Sequence, residues 1–191
     1  MRMDEFLRNY SERIRQCLSE LPFPEMERAV EALEEAVRKG NQIFAFGNGA
    51  CAAASSHFVC DLVKGCIVEG EPRVKAFCLN DCAPLLTAWA NDDSYEKVFV
   101  EPLKNYLKRG DVVMALSASG NSPNVLRAAE YGREAGAIVI GLTGKGGGQL
   151  ASLATIPIVV KSSSYEEVED VHVVITHMLK LALIRKLKGS H

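Results

Sequence analysis

Apolar residues recur at three- and four-residue intervals through Phe6, Tyr10, Ile14 and Leu18, and again through Met26, Val30, Leu33 and Val37. That spacing predicts two amphipathic helices, separated at Pro22 and Pro24, with Gly40 closing the second. The period then changes. Gln42-Ile43-Phe44-Ala45-Phe46 is a short, nearly continuous apolar run that enters Gly47-Asn48-Gly49, as a buried strand enters a turn. A helix from about Cys51 to Lys64 leads to a strand at Val74 to Cys78, and helices near Pro84 to Ala90 and Tyr95 to Leu107 come next. Three more strands are expected at Val112 to Leu116, Ile138 to Leu142 and Ile156 to Val160. A helix from Pro123 to about Ala135 separates the first two, and a long helix from Tyr165 to Lys188 ends the pattern.

Apolar strands alternating with amphipathic helices bury both faces of a parallel sheet, so the expected fold is α/β: a three-layer α/β/α doubly wound domain with five parallel strands. A chain of 191 residues suits one domain, here 1–188, with 1–40 as a helical extension and 41–188 as the α/β core. Gly189-Ser190-His191 reads as an expression-tag remnant and is set aside.

Composition narrows the function. The chain is 48% hydrophobic and 24% charged, a soluble globular balance. Its 22 Lys and Arg against 24 Asp and Glu leave a net charge of -2, which supplies no basic field for gripping a phosphate backbone, so direct nucleic-acid binding is not expected. No apolar run approaches the ~18 residues of a membrane span, and Arg2, Asp4 and Glu5 stand where a signal peptide would be apolar. The expected location is the cytoplasm, without membrane contact. The six cysteines form no C-x-x-C pair and read as free thiols.

Chemistry is expected in the loops beyond the strand ends. Ser117-Ala118-Ser119-Gly120-Asn121-Ser122 places hydroxyls and free backbone N–H groups at a helix start, the makings of a phosphate cradle; an ordinary serine cap is the plainer use of the same residues. Gly47-Asn48-Gly49-Ala50-Cys51-Ala52 fits G-x-G-x-x-A, with Asp81 as a ribose acceptor, which admits a dinucleotide. The helical preface and the second anion loop fit a compact phosphorylated substrate better, and no nucleotide cofactor is expected. Thr143-Gly144-Lys145-Gly146-Gly147-Gly148 lacks the Walker spacing. His57 and Asp61 share a helical face, and Glu169 and His177 lie two turns apart on the last helix. Converging, these four could bind zinc or move protons on a sugar carbon, and they could equally be packing and cap residues.

Taken together, Gly47-Asn48-Gly49, His57-Phe58, Ala90-Asn91-Asp92, Ser117 to Ser122, Leu142-Thr143-Gly144-Lys145, Val171-His172 and Thr176-His177 resemble the sugar isomerase (SIS) domain family, and within it the phosphoheptose isomerases. The resemblance covers nearly the whole chain. It implies a flavodoxin-like sheet, an N-terminal extension used in assembly, and a homotetramer with active sites between subunits. It also implies conversion of sedoheptulose 7-phosphate into D-glycero-D-manno-heptose 7-phosphate through an enediol, with Asp61 and His177 as the proton-transfer groups. Ser117, Ser119 and Ser122 would hold the phosphate and Asn48, Asn91 and Asp92 would contact sugar hydroxyls, while Gly49, Ala50, Asp61, Ala118 and Glu169 would complete the substrate pocket. Zinc, where bound, would fall on His57, Asp61, Glu169 and His177. The chain departs from the family pattern at Asp61 (glutamate), Glu169 (glutamine), Cys51 (serine), Ala118 (threonine) and Gly65 (arginine). A second implication is a non-catalytic tetramer that regulates a protein partner, similar to the bacterial initiator-associating protein; Ala52 to His57 is similar to that branch.

Overall fold

The computed structural model describes residues 2–189, so Ser190 and His191 of the expected tag remnant lie outside the described residues. Helices α1 (Met3–Ser19) and α2 (Phe23–Lys39) precede β1 (Gln42–Phe46). Next come α3 (Ala50–Cys60), β2 (Lys75–Cys78), α4 (Ala83–Asp92), α5 (Val100–Tyr106) and β3 (Val112–Ser117). The chain ends through α6 (Pro123–Glu134), β4 (Ile138–Thr143), α7 (Gly148–Leu153), β5 (Ile156–Val159) and α8 (Tyr165–Leu187).

All five strands pair in parallel, in the order β2-β1-β3-β4-β5. The expected doubly wound sheet is present. Its two faces bury separate apolar clusters: Val30, Leu33, Phe58, Leu116, Ile175 and Leu183 on the side of α1, α2, α3 and α8, and Phe46, Phe99, Leu103, Val113, Val125 and Leu150 on the side of α4 to α7. The order reverses between β1 and β3, so the loop after β1 turns to α3 in one layer and the loop after β3 turns to α6 in the other. Their divergence opens a crevice at the carboxyl ends of these strands.

Three local differences from the sequence expectation matter. The helix expected to run from Cys51 to Lys64 is regular only to Cys60 and widens into a π-turn over Asp61–Gly65; one extra residue per turn rotates the residues beyond it, a shift that sequence period does not register. The helix expected from Tyr95 to Leu107 is a 3-10 turn over Tyr95–Lys97 succeeded by α5. Helix α7 went unforeseen, because Gly148–Leu153 is too short and glycine-led to show an apolar period.

Candidate active site

The crevice holds a hydroxyl-lined cavity of 210 Å³ bounded by Asn48, Cys51, Ser117, Ala118, Ser119, Ser122, Tyr165 and Glu169. The expected cradle residues therefore share one wall. Ser122 is the N-cap of α6, yet its hydroxyl makes no capping bond; it lies 3.1 Å from the Ser117 hydroxyl, which is 3.5 Å from that of Ser119. Pro123 supplies the fixed φ of a first helical residue, and the uncommitted Ser122 hydroxyl bounds the cavity. Three hydroxyls above a helix N-terminus, with its partial positive charge, suit a phosphate.

The loop is held from behind by the glycine-rich turn. Gly120 has φ +66°, and a Cβ there would sit 2.0 Å from the Gly147 carbonyl oxygen. Leu150 N–H donates to the Gly120 carbonyl (2.9 Å), and Gln149 N–H donates to Asn121 Oδ1 (3.1 Å). Thus the turn without Walker spacing buttresses the cradle. Cys51, in the first turn of α3, has its thiol pushed up to about 11 by burial, with the Ala118 backbone pulling the other way and the Glu169 carboxylate adding to the rise. It is a neutral wall group. Its Sγ lies 3.9 Å from Nδ1 of His172, a buried imidazole whose pKa falls to about 4 because burial disfavours the charged ring. Nε2 of His172 has no hydrogen-bond partner.

Asn48 is fixed by a network that the sequence did not announce. Its Nδ2 donates to Oδ1 of buried Asn124 (2.9 Å), Asn124 Nδ2 donates back to Asn48 Oδ1 (2.9 Å), and the Tyr95 hydroxyl donates to the same oxygen (2.9 Å). The signal available in the sequence was the polar Asn124 inside an otherwise apolar helix face. Gly49 precedes α3, and Ala50 is its first residue. Asn91 and Asp92 end α4, are exposed, and bond to each other (Asn91 Nδ2 to Asp92 Oδ1, 2.8 Å) rather than bounding the cavity.

A second cavity of 350 Å³ adjoins the first along the groove between α3 and α8, bounded by Ala50, Ala53, Ala54, His57, Glu166, Glu169, Asp170 and Val173. Glu169 bounds both cavities. Desolvation raises its pKa, and the neighbouring Glu166 and Asp170 carboxylates raise it further. Further along the groove His57, Asp61 and His177 meet. His57 Nε2 and His177 Nε2 are 3.2 Å apart, and Asp61 Oδ2 lies 3.8 Å from the first and 3.5 Å from the second. The two rings meet edge to face. Residues 120 apart in sequence are brought together because α3 and α8 pack side by side over one face of the sheet.

Of the four expected metal donors, three already lie together. Among the described residues the donor cluster contains His57, Asp61 and His177, without Glu169. Glu169 is eight residues before His177 on α8, an axial rise of about 12 Å. Three donors spaced 3.2 to 3.8 Å apart approach the ~3.3 Å ligand–ligand edge of a tetrahedral zinc site, so the chemistry and spacing of this trio fit the ion.

The SIS domain profile matches residues 5–144. A phosphoheptose isomerase of Geobacter sp. (strain M21) is 36% identical over 169 residues, covering 87% of this chain and 88% of that protein. One from Mycobacterium tuberculosis (strain ATCC 25177 / H37Ra) is 38% identical over 156 residues, covering 81% and 79%. The solved phosphoheptose isomerase of Neisseria gonorrhoeae superposes with a TM-score of 0.86 at 25% identity, covering 94% of this chain and 97% of that one. That of Francisella tularensis gives a TM-score of 0.89 at 24% identity, covering 97% and 100%, a likeness of fold. With the cradle and the His–Asp–His cluster both built on the expected residues, the chain belongs to the SIS domain family and, within it, to the phosphoheptose isomerases.

Proposed function

We propose that the protein is an aldose–ketose isomerase that converts sedoheptulose 7-phosphate into D-glycero-D-manno-heptose 7-phosphate, feeding the synthesis of nucleotide-activated heptose. The observation that carries this reading is a pair of adjoining cavities that share Glu169, one holding the phosphate cradle and the other bounded by His57 of the acid–base cluster. Ser117, Ser119 and Ser122 hold the phosphate. Asn48, Gly49, Ala50, Ala118 and Glu169 line the sugar chain, and Asn91 and Asp92 reach its hydroxyls from the end of α4.

Chemically, Asp61 removes a proton from C1 of the ketose as the C1–C2 double bond forms and negative charge moves onto the C2 oxygen, which then takes a proton to give the enediol. His177 then takes the O1 proton while C2 receives one, and the aldehyde forms at C1. No atom is gained or lost, so a base and an acid suffice, each such transfer contributing roughly 10²–10⁴-fold. His57, Asp61 and His177 would hold a zinc ion, with Glu169, which bounds the same cavity as His57, as the fourth expected donor. Such an ion polarises the carbonyl as a Lewis acid when bound. The paired acid and base are what the non-catalytic alternative leaves without a use.

On this reading the chain works in the cytoplasm as a homotetramer assembled through the 1–40 extension, around the 41–188 core. Support comes from α1, where Met3, Phe6 and Leu7 are 72%, 46% and 61% exposed, an apolar stripe that a lone chain leaves in water. Active sites then lie at subunit contacts.

Incubation with sedoheptulose 7-phosphate in deuterated water is expected to yield the aldose carrying deuterium on carbon. No aldose and no deuterium uptake, with and without added zinc, overturns the reading. Metal analysis of protein purified without chelator is expected to find zinc near one equivalent per chain, lost in His57→Ala.

A further inference from the structure

The groove that receives the sugar has no fixed cation on its walls: neither cavity is bounded by a lysine or arginine. Past the acid–base cluster, however, the side chain of Lys180 lies directly on Gly65. A Cβ at position 65 would stand 2.9 Å from Lys180 Cε and 3.4 Å from Nζ. Gly65 has no positive φ, so its backbone does not demand glycine; what the missing side chain provides is the space the lysine occupies.

Both residues continue the stripes that carry the acid–base cluster. Gly65 ends the π-turn that Asp61 begins, and Lys180 is one turn beyond His177 on α8, on the same face. Helical side chains lean toward the N-terminus, which carries the ammonium back toward the His177 layer. Lys180 is half-buried and forms no ion pair among the described residues. The thiol of Cys66, next to Gly65, registers both charges: the Lys180 ammonium lowers its pKa and the Asp61 carboxylate raises it, against a larger rise from burial.

We propose that Lys180 is a substrate-binding residue that stabilises the negative oxygen formed when a proton leaves carbon, through the opening that Gly65 leaves. This rests on the isomerase reading and adds to it the group that meets the developing charge. Lys180 keeps its proton throughout and donates a hydrogen bond to the enediolate oxygen, so the proton balance of the reaction is unchanged. A positioned donor of this kind contributes on the order of 10²-fold.

The test compares two phosphorylated ligands of equal length on the full chain by calorimetry. One ends in a hydroxamate, which carries the enediolate's charge pattern; the other is the alditol phosphate, which carries no charge there. The wild type is expected to bind the hydroxamate more tightly. Lys180→Met is expected to weaken hydroxamate binding at least tenfold while alditol phosphate stays within about threefold, and Lys180→Arg is expected to retain the preference. In Lys180→Ala both colliding atoms, Cε and Nζ, are gone, and adding Gly65→Arg to that variant should restore hydroxamate binding, because a guanidinium replaces the lost charge. The proposal is overturned if the wild type shows no preference, if Lys180→Met weakens both ligands alike, or if it weakens neither. Turnover is read separately: the hydroxamate pattern without isomerisation removes the reaction and keeps the anion site.

Discussion

The two ends of the groove are built differently. The cradle comes from six consecutive residues, Ser117 to Ser122, locked by backbone contacts to the glycine-rich turn. The acid–base end comes from side chains on α3, the π-turn that continues it and α8, held by the packing of those elements. Local backbone fixes where the phosphate sits; long-range packing fixes where the proton moves. The first tolerates almost no change of shape, whereas the second tolerates change of shape and none of chemistry.

The largest expected effect separates chemistry from binding. Asp61→Asn keeps the shape and removes the base, so kcat should fall on the order of 10³-fold while phosphosugar affinity, measured by calorimetry, changes less than about threefold. A matching loss of affinity would join the two ends into one binding unit and remove the distinction.

Next comes a change of shape at each end. Gly120→Ala puts a methyl 2.0 Å from a carbonyl oxygen at a φ of +66°, and neither the backbone nor the turn behind it yields cheaply. We expect a loss of about 3 kcal/mol in denaturant unfolding, with inorganic phosphate binding lost. At the other end, Gly65→Ala meets only the flexible tip of Lys180, and its cost should stay under about 1 kcal/mol.

The same contrast explains what the sequence made legible. Five strands, their parallel pairing and the cradle loop could be read because each rests on contiguous residues: apolar runs that end in glycine or serine turns and alternate with amphipathic helices. His57, Asp61 and His177 were identified as candidates by shared helical faces, but the meeting of two faces 120 residues apart is a property of packing. Glu169 shows the limit. Its spacing from His177 suggests a common face, and two turns of rise set its carboxylate between the phosphate cavity and the cavity that His57 bounds, outside the trio that already lies together. Of the two residues that orient Asn48, Asn124 shows in the sequence only as a polar residue on an apolar helix face and Tyr95 not at all, because a hydrogen-bond network leaves no period.

His172 joins the two ends, since it sits on α8 between Glu169 and His177 with its ring against Cys51 on α3. Its folded pKa, about 4, lies below the ordinary 6.5, so the unfolded chain takes up the proton first. Stability should therefore fall as pH drops from 6.5 to 4, by up to about 3 kcal/mol. His172→Leu also removes the unpartnered Nε2, so it should flatten that limb while changing stability near neutral pH by under about 1 kcal/mol. An unchanged acid limb in urea titrations would assign the loss to other groups.

The smallest effect tests whether the cradle shares its load. Ser119 Oγ accepts from Asn121 N–H (3.2 Å) and, like Ser122, is half-buried where Ser117 is buried. Ser119→Ala removes one neutral donor to the phosphate, worth about 1 kcal/mol, and leaves Ser117 and Ser122 in place at 3.1 Å from each other. The expected result is a KM raised roughly five- to tenfold with kcat within twofold, because phosphate contacts are made equally in ground and transition states. A fall in kcat of the same size would mean that the phosphate grip is used to drive the proton transfer at the far end, and the two regions would then be coupled through the substrate itself.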